Sequence, residues 1–265
     1  MTISDQHLAQ VGLLCSVDGA VATVTLDRPA VRNAQTPAMW RALADLGARI
    51  LADDTVRVVV LRGNGHSFSA GLDRAMLGGP SDPGTETVTD LLAGSDEEVS
   101  QAIDAYQRGF TWLRDPRIVS VAAVHGYAVG AGFQLALSCD LRLLSEDAQL
   151  CMKESALGLV PDLTGTKPLV EAVGYARALE ICATARMVGA EEAVRIGLAL
   201  DAVPAERLGE SVETLVGSLT APMVGAVRET KALLQSAAHL DLEEQRRLER
   251  EAQVRRFREV AAVMG

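Results

Sequence analysis

The 265-residue chain is poor in lysine, in closely spaced cysteines and in clustered histidines, and each shortage removes a class of function. Lysine stands only at 153, 167 and 231, so 22 of the 25 basic residues are arginine, and the formal charge is −10. That balance works against nucleic acid, because phosphate backbones need a basic surface. It leaves small anionic ligands open, since a few local arginines can hold them. The cysteines at 15, 139, 151 and 182 show no CxxC spacing, so free, mostly buried thiols are expected in a reducing compartment. The histidines at 7, 66, 125 and 239 show no HExxH or paired-ligand spacing, so no metal site is expected. No run reaches 18 uninterrupted apolar residues, and no basic stretch precedes an apolar one near Met1. Neither membrane insertion nor a secretory signal is therefore expected, and a cytoplasmic location is the default.

What remains is a chain of ordinary composition, 48% hydrophobic with mean hydropathy +0.16, long enough to bury a substantial core. Residues 13–27, LLCSVDGAVATVTLD, predict a hairpin around Asp18-Gly19. Residues 36–53 have helical spacing through Met39, Leu43, Leu46 and Ile50, and VRVVVLRG (56–63) reads as a buried strand. The glycine- and proline-containing stretch 78–98 reads as loop, 99–114 as helix and IVSVAAVHG (118–126) as strand. CDLRLLSEDAQLCMKE (139–154) predicts two short strands split at 145–147. From 166 the pattern is helical except for LALDAV (198–203), and 241–257 reads as a solvated, densely charged helix. The order implies an α/β core followed by a helical C-terminal part, with no internal repeat.

GNGHSFSAG (63–71) tempts three readings and satisfies none of them. A phosphate loop needs a terminal Gly-Lys-Ser/Thr, and a dinucleotide fingerprint needs a third glycine where Phe68 stands. A G-x-S-x-G elbow fails on both Ser67 and Ser69. A serine hydrolase is thus poorly supported, and fluorophosphonate labelling would be its signature.

Two segments share one design. VVVLRGNGHSFSAGLD ends a strand in the small-residue turn Ser69-Ala70-Gly71, and VAAVHGYAVGAGFQLA does so at Gly130-Ala131-Gly132. The second turn leads into a helix start, where free N–H groups carry partial positive charge. If the two turns face each other, their N–H groups converge on one oxygen and stabilise an enolate. Together with LDRPAVRNAQT (26–36) and AEEAVRIGLALDAV (190–203), this pair of turns resembles the crotonase superfamily, the enoyl-CoA hydratase/isomerase fold, over residues 11–235.

The resemblance implies a spiral of ββα units (1–197) with a helical C-terminal trimerisation region (198–265) and a homotrimer or dimer of trimers. It also implies an acyl-CoA substrate, with coenzyme A entering as part of the substrate and no separate cofactor. Carried over, the thioester oxygen would meet the N–H groups of Leu72 and Ala131. CoA-contacting positions would fall on Arg32, Asn33, Ala34, Ser69, Ala70, Gly71, Asp73 and Gly130. Family hydratases use two glutamates, and the corresponding positions here are Gln134 and Glu154. An amide orients a water but takes no proton from it. A single carboxylate suits double-bond isomerisation, which moves one proton between two carbons. Asp162 stands where dienoyl-CoA isomerases of the family carry an aspartate and hydratases a glycine, although those isomerases also carry aspartate at the Gln134 position. The alternatives are a helix N-cap for Asp162, a surface strand position for Glu154, an enoyl-CoA hydratase of weak activity with Gln134 placing the water, and an acyl-CoA-binding protein without chemistry. LEREAQ (248–253) resembles the start of the family's last helical region, and the chain runs to Gly265 without the usual basic, proline-containing tail.

Overall fold

The computed structural model describes residues 3–78 and 86–264. Leu13–Asp18 (β1) and Val21–Leu26 (β2) pair antiparallel from Leu13↔Leu26 to Asp18↔Val21. Only Gly19 and Ala20 connect them, and Gly19 supplies the positive φ of 54° that a two-residue hairpin requires. The valine-rich run gives Val58–Gly63 (β3). Later runs give Val119–Val124 (β4), Tyr127–Val129 (β5), Leu141–Ser145 (β6), Gln149–Cys151 (β7), Val188–Gly189 (β8) and Asp201–Val203 (β9). Six strands form one sheet in the order β1-β2-β3-β4-β6-β9, parallel from β2 onward, and β5-β7-β8 form a second, smaller sheet.

The helices are Asp5–Gln10 (α1), Pro37–Leu51 (α2), Val88–Leu92 (α3), Asp96–Thr111 (α4), Ala131–Ser138 (α5) and Thr166–Val173 (α6). Tyr175–Thr184 (α7), Ala190–Arg195 (α8), Leu208–Thr220 (α9), Val224–Ala237 (α10) and Leu242–Met264 (α11) complete the chain. The α/β core and the helical C-terminal part are thus as the sequence implies. One difference falls in 78–98. Its residues 79–85 lie outside the described residues, but Val88–Leu92 and the residues from Asp96 are helical and not loop. Thr87 with Asp90, and Ser95 with Glu98, form capping boxes that start α3 and α4.

Side-chain alternation along β3 and β4 divides the interior into two cores. Val59, Leu61, Ala122 and Val124 join Met39, Leu43 and Leu46 of α2, whereas Val58, Val60, Val121 and Ala123 face Leu208, Val212 and Val216 of α9. Both faces of these strands are therefore covered.

Polar bonds secure α10 to the core. The buried Lys231 ammonium donates to the carbonyls of Asp115 (2.8 Å) and Ile118 (2.7 Å) and to the Asp140 carboxylate (2.7 Å). Those acceptors use its three hydrogens. Burial nonetheless pulls its pKa below the ordinary lysine value, against the attraction of Asp140.

Candidate active site

The chain leaves β3 at Gly63 and runs back beside the β4–β5 connection. Ser69 N–H donates to Tyr127 O (2.8 Å), and Ser69 O accepts from Val129 N–H (3.0 Å), so the first small-residue turn is stitched to the strand that feeds the second. Gly71, at φ 87°, brings the two turns into contact. A Cβ there would lie 2.3 Å from Val129 O and 3.4 Å from Ala131 N. The bare Cα of one turn thus rests on the backbone of the other.

Both turns present unused N–H groups. Gln35 donates its N–H to Gly71 O (2.7 Å) and accepts from Asp73 N–H (2.8 Å). Each bond goes to a neighbour of Leu72, so the N–H of Leu72 itself points away from Gln35. Ala131 is the first residue of α5, where an N–H has no intrahelical acceptor. Among the described residues neither N–H has a partner.

The first turn is held by buried polar side chains. Asn33 is fully buried; its Nδ2 donates to Asn64 O and Ser67 O (both 2.8 Å), and its Oδ1 accepts from Arg28 N–H (2.9 Å). Ser69, also fully buried, donates to Asn33 O (2.8 Å) and accepts from Gln35 Nε2 (3.0 Å) and Gly71 N–H (3.2 Å). Trp40 Nε1 donates to Gln35 Oε1 (2.8 Å) and completes the chain of bonds. These side chains are spent on the scaffold, and the residues can offer a ligand only main chain. Ala34 is buried, and Ala70 N–H donates to Arg32 O (2.8 Å). Arg32 is exposed, with its guanidinium 5.8 Å from the Tyr127 ring centre. Asp73 pairs with Arg28 Nη1 (2.8 Å). Burial alone would raise the pKa of Asp73, but bonds from Ala75 N–H and Arg28 outweigh it and hold the carboxyl below its ordinary value.

The second turn carries the titratable chemistry. Gly130 has φ 52° and ψ −121°, a conformation that disfavours any side chain, and a Cβ there would lie 3.4 Å from Glu154 Oε1. The Glu154 carboxyl therefore sits against the residue preceding Ala131. Glu154 opens a 3-10 turn (154–157), is 8% exposed and is not a surface strand residue. Its Oε1 accepts from Gln134 Nε2 at 2.7 Å, whereas its buried Oε2 has no partner among the described residues. Burial raises its pKa most, the Gln134 bond partly offsets this, and the charge of Asp162 adds to the rise.

Gln134, 1% exposed, is held from behind. Its Oε1 accepts from Leu163 N–H (2.8 Å) and Gly165 N–H (3.2 Å), donors that fix which end of the amide is oxygen. Thr164 between them has φ 70°, a strained conformation for a β-branched residue. Asp162 lies just before this bend. Its side chain is reachable from solvent, yet the surrounding protein raises its pKa by desolvation. It does not cap α6, whose N-cap is Gly165 without a side-chain bond.

Ser67 and Ser69 are buried, and no histidine bonds to either hydroxyl among the described residues, so a serine nucleophile finds no support here. A cavity of about 1370 Å³ lies between α10, the start of α6 and the starts of β4 and β6, and Thr164 lies on its wall. The paired turns, with their free donors and buried carboxyl, define the site better than that volume does.

Residues 16–265 match the profile of the enoyl-CoA hydratase/isomerase family. The chain belongs to that family. It is 32% identical to (E)-benzylidenesuccinyl-CoA hydratase of Thauera aromatica over 216 residues, 81% of this chain and 78% of the relative. A Thermobifida fusca YX protein crystallised with acetoacetyl-CoA is 49% identical, with a TM-score of 0.93 over 98% of this chain and 100% of that one. Enoyl-CoA hydratase from Bacillus anthracis is 26% identical, with a TM-score of 0.79 over 91% and 89%. These relatives carry the crotonase fold that the motifs imply.

The sequence reading did not find Gln35, Trp40 or the Leu163/Gly165 donors. Gln35 carries no motif of its own, and nothing in VPDLTGT marks Thr164 as left-handed.

Proposed function

We propose that the protein is an acyl-CoA enzyme that shifts a carbon–carbon double bond, with Glu154 moving the proton and the Leu72 and Ala131 N–H groups stabilising the enolate oxygen. The main chain of residues 32–34 and 69–71, with Asp73 and Gly130 beside it, would hold the coenzyme A part of the substrate. The Thermobifida relative with bound acetoacetyl-CoA supports this substrate class. In a 3-enoyl thioester, Glu154 takes a proton from C2 as the C2–H bond breaks. The electron pair passes into the thioester carbonyl, and the same proton then forms a C4–H bond as C2=C3 appears. No co-reactant is consumed. Two donors aimed at the charged oxygen suit this step, and each such donor is worth about 10²–10³ in rate. A homotrimer or dimer of trimers is the proposed assembly; Tyr175, Leu179 and Phe257, all more than half exposed, supply apolar surface for it.

One observation carries the preference for isomerisation. The Gln134 oxygen already accepts two N–H bonds, which occupies both of its acceptor positions. It therefore lacks the free acceptor needed to draw a proton of an attacking water. The hydratase names of the Thauera and Bacillus relatives favour a second reading, hydration with Asp162 as the partner of Glu154.

Turnover of 2-enoyl-, 3-enoyl- and 3,5-dienoyl-CoA separates the readings. Isomerisation of 3-enoyl- or 3,5-dienoyl-CoA should dominate and fall at least 100-fold in Glu154→Gln. Dominant hydration of 2-enoyl-CoA, abolished by Asp162→Asn, would favour the second reading. Binding of acyl-CoA without turnover of any substrate would reduce the protein to a binder.

A further inference from the structure

Glu154 has two carboxylate oxygens in different circumstances, and the amide across from it makes the difference. Gln134 is nearly inaccessible, and its orientation follows from its neighbours, since neither Leu163 N–H nor Gly165 N–H can accept a bond. The amide nitrogen is thereby turned toward Glu154 Oε1 at 2.7 Å. Oε2 is left buried with no partner among the described residues. The backbone is strained where this arrangement is anchored: Thr164 adopts φ 70° between the two donors. Residues in such conformations persist where the surroundings fix them, and they gather at functional sites. Both bonds into the amide oxygen also polarise its N–H groups and strengthen the bond to Glu154.

We propose that Gln134 is a positioning residue whose amide, clamped by the 163–165 bend, immobilises Oε1 of Glu154 and leaves Oε2 as the one atom that takes and returns the substrate proton. This inference rests on the reading of Glu154 as the base. In the proton transfer written above, Oε2 gains the C2 proton while Oε1 keeps its bond from Gln134, and Oε2 releases the proton to C4. Gln134 itself gains and loses nothing. The position that a second acid would occupy is thus used to orient the first.

A positioning role and a merely structural one differ in their effect on the pH profile. As a base, Glu154 must be ionised, so activity rises with pH through its titration. The Gln134 N–H favours the ionised form, and removing it moves the acid limb to higher pH. The other titratable groups around the carboxyl are Asp162 before α6, Cys151 in β7, Cys182 in α7 and the adjacent, outward-facing Lys153. Burial raises the thiol pKa of both cysteines, and neither changes charge across the acid limb. Asp162 is unchanged between the variants compared.

The decisive comparison is the kcat–pH profile of wild type and Gln134→Met on 3-enoyl-CoA, with carboxyl titration followed by infrared difference spectroscopy against Glu154→Gln. The acid limb and the Glu154 carboxyl signal should both move up by about one pH unit in the Met variant, the size expected for losing a hydrogen bond to a charged group. A lower kcat with both midpoints unmoved would overturn the inference while leaving Glu154 as base. Full activity of Glu154→Gln would instead overturn the underlying reading. Should the Met variant not fold, Gln134→Glu carries the test. Its carboxyl and that of Glu154 should hold one shared proton well above the ordinary glutamate range, and two independent, ordinary titrations would refute the contact.

Discussion

The two turns that meet at Gly71 reach the same result by different means. The 69–73 turn draws on side chains as well as main chain: Asn33, Ser69 and the Arg28–Asp73 pair brace the segment whose Leu72 N–H the Gln35 main chain orients. The 129–134 turn is shaped by backbone alone, a glycine with φ 52° followed by the first turn of α5. A donor placed by side chains can be weakened in steps, because each bond is lost separately. A donor placed by backbone geometry has no intermediate state; either the conformation is reached or the N–H points elsewhere. The side-chain-built turn should therefore tolerate substitution with graded losses, and the backbone-built one should fail abruptly.

The largest effect should come from Gly130→Ala. The added methyl demands an unfavourable backbone conformation beside Glu154, so kcat should fall on the order of 100-fold or more while the protein stays folded. Kinetics with a circular dichroism check would measure this, and a loss under tenfold would erase the proposed contrast. Asn33→Ala comes next, with the emphasis reversed. It leaves the buried carbonyl of Ser67 and the half-buried carbonyl of Asn64 and N–H of Arg28 without these partners, and should cost about 1–3 kcal/mol in urea unfolding with a smaller loss of kcat. The smallest effect belongs to Arg28→Gln. The native pKa of Asp73 is held below its ordinary value, so the stability this pair contributes is present above that ordinary value and is lost as pH falls through the native one. The variant should be less stable by about 1 kcal/mol at pH 7, and the gap should narrow as pH falls below the ordinary aspartate value, measured by thermal unfolding in each buffer. A difference that persists at low pH would mean that Arg28 acts mainly through its bond to Ala34 O.

Much of this was legible in the sequence, for identifiable reasons. β2, β3 and β4 are buried on both faces, so their apolar runs are uninterrupted and easily seen. The hairpin announces itself through Asp18-Gly19, Gly71 is a glycine because a Cβ would run into Val129 O, and Gly130 because its positive φ strains any side chain. The capping pairs Thr87–Asp90 and Ser95–Glu98 were legible too, but the prolines and glycines before them dominate a composition reading. The contact of Gln134 with Glu154 was not legible, since twenty residues and a strand pair separate them. Only the fold reveals that the amide is spent on the bend at 163–165. The strain at Thr164 is invisible for the same reason: a threonine gives no sign of the φ imposed on it by its surroundings.

The anchoring of Lys231 limits how far the protein can be simplified. Its ammonium meets oxygens from the entry to β4 and from the approach to β6, and Asp140 in turn receives the N–H and hydroxyl of Ser120. A chain cut before α10 would leave a carboxylate and two carbonyls facing water where the central strands begin. The sheet and α10 therefore share polar bonds that a chain cut before α10 would lose.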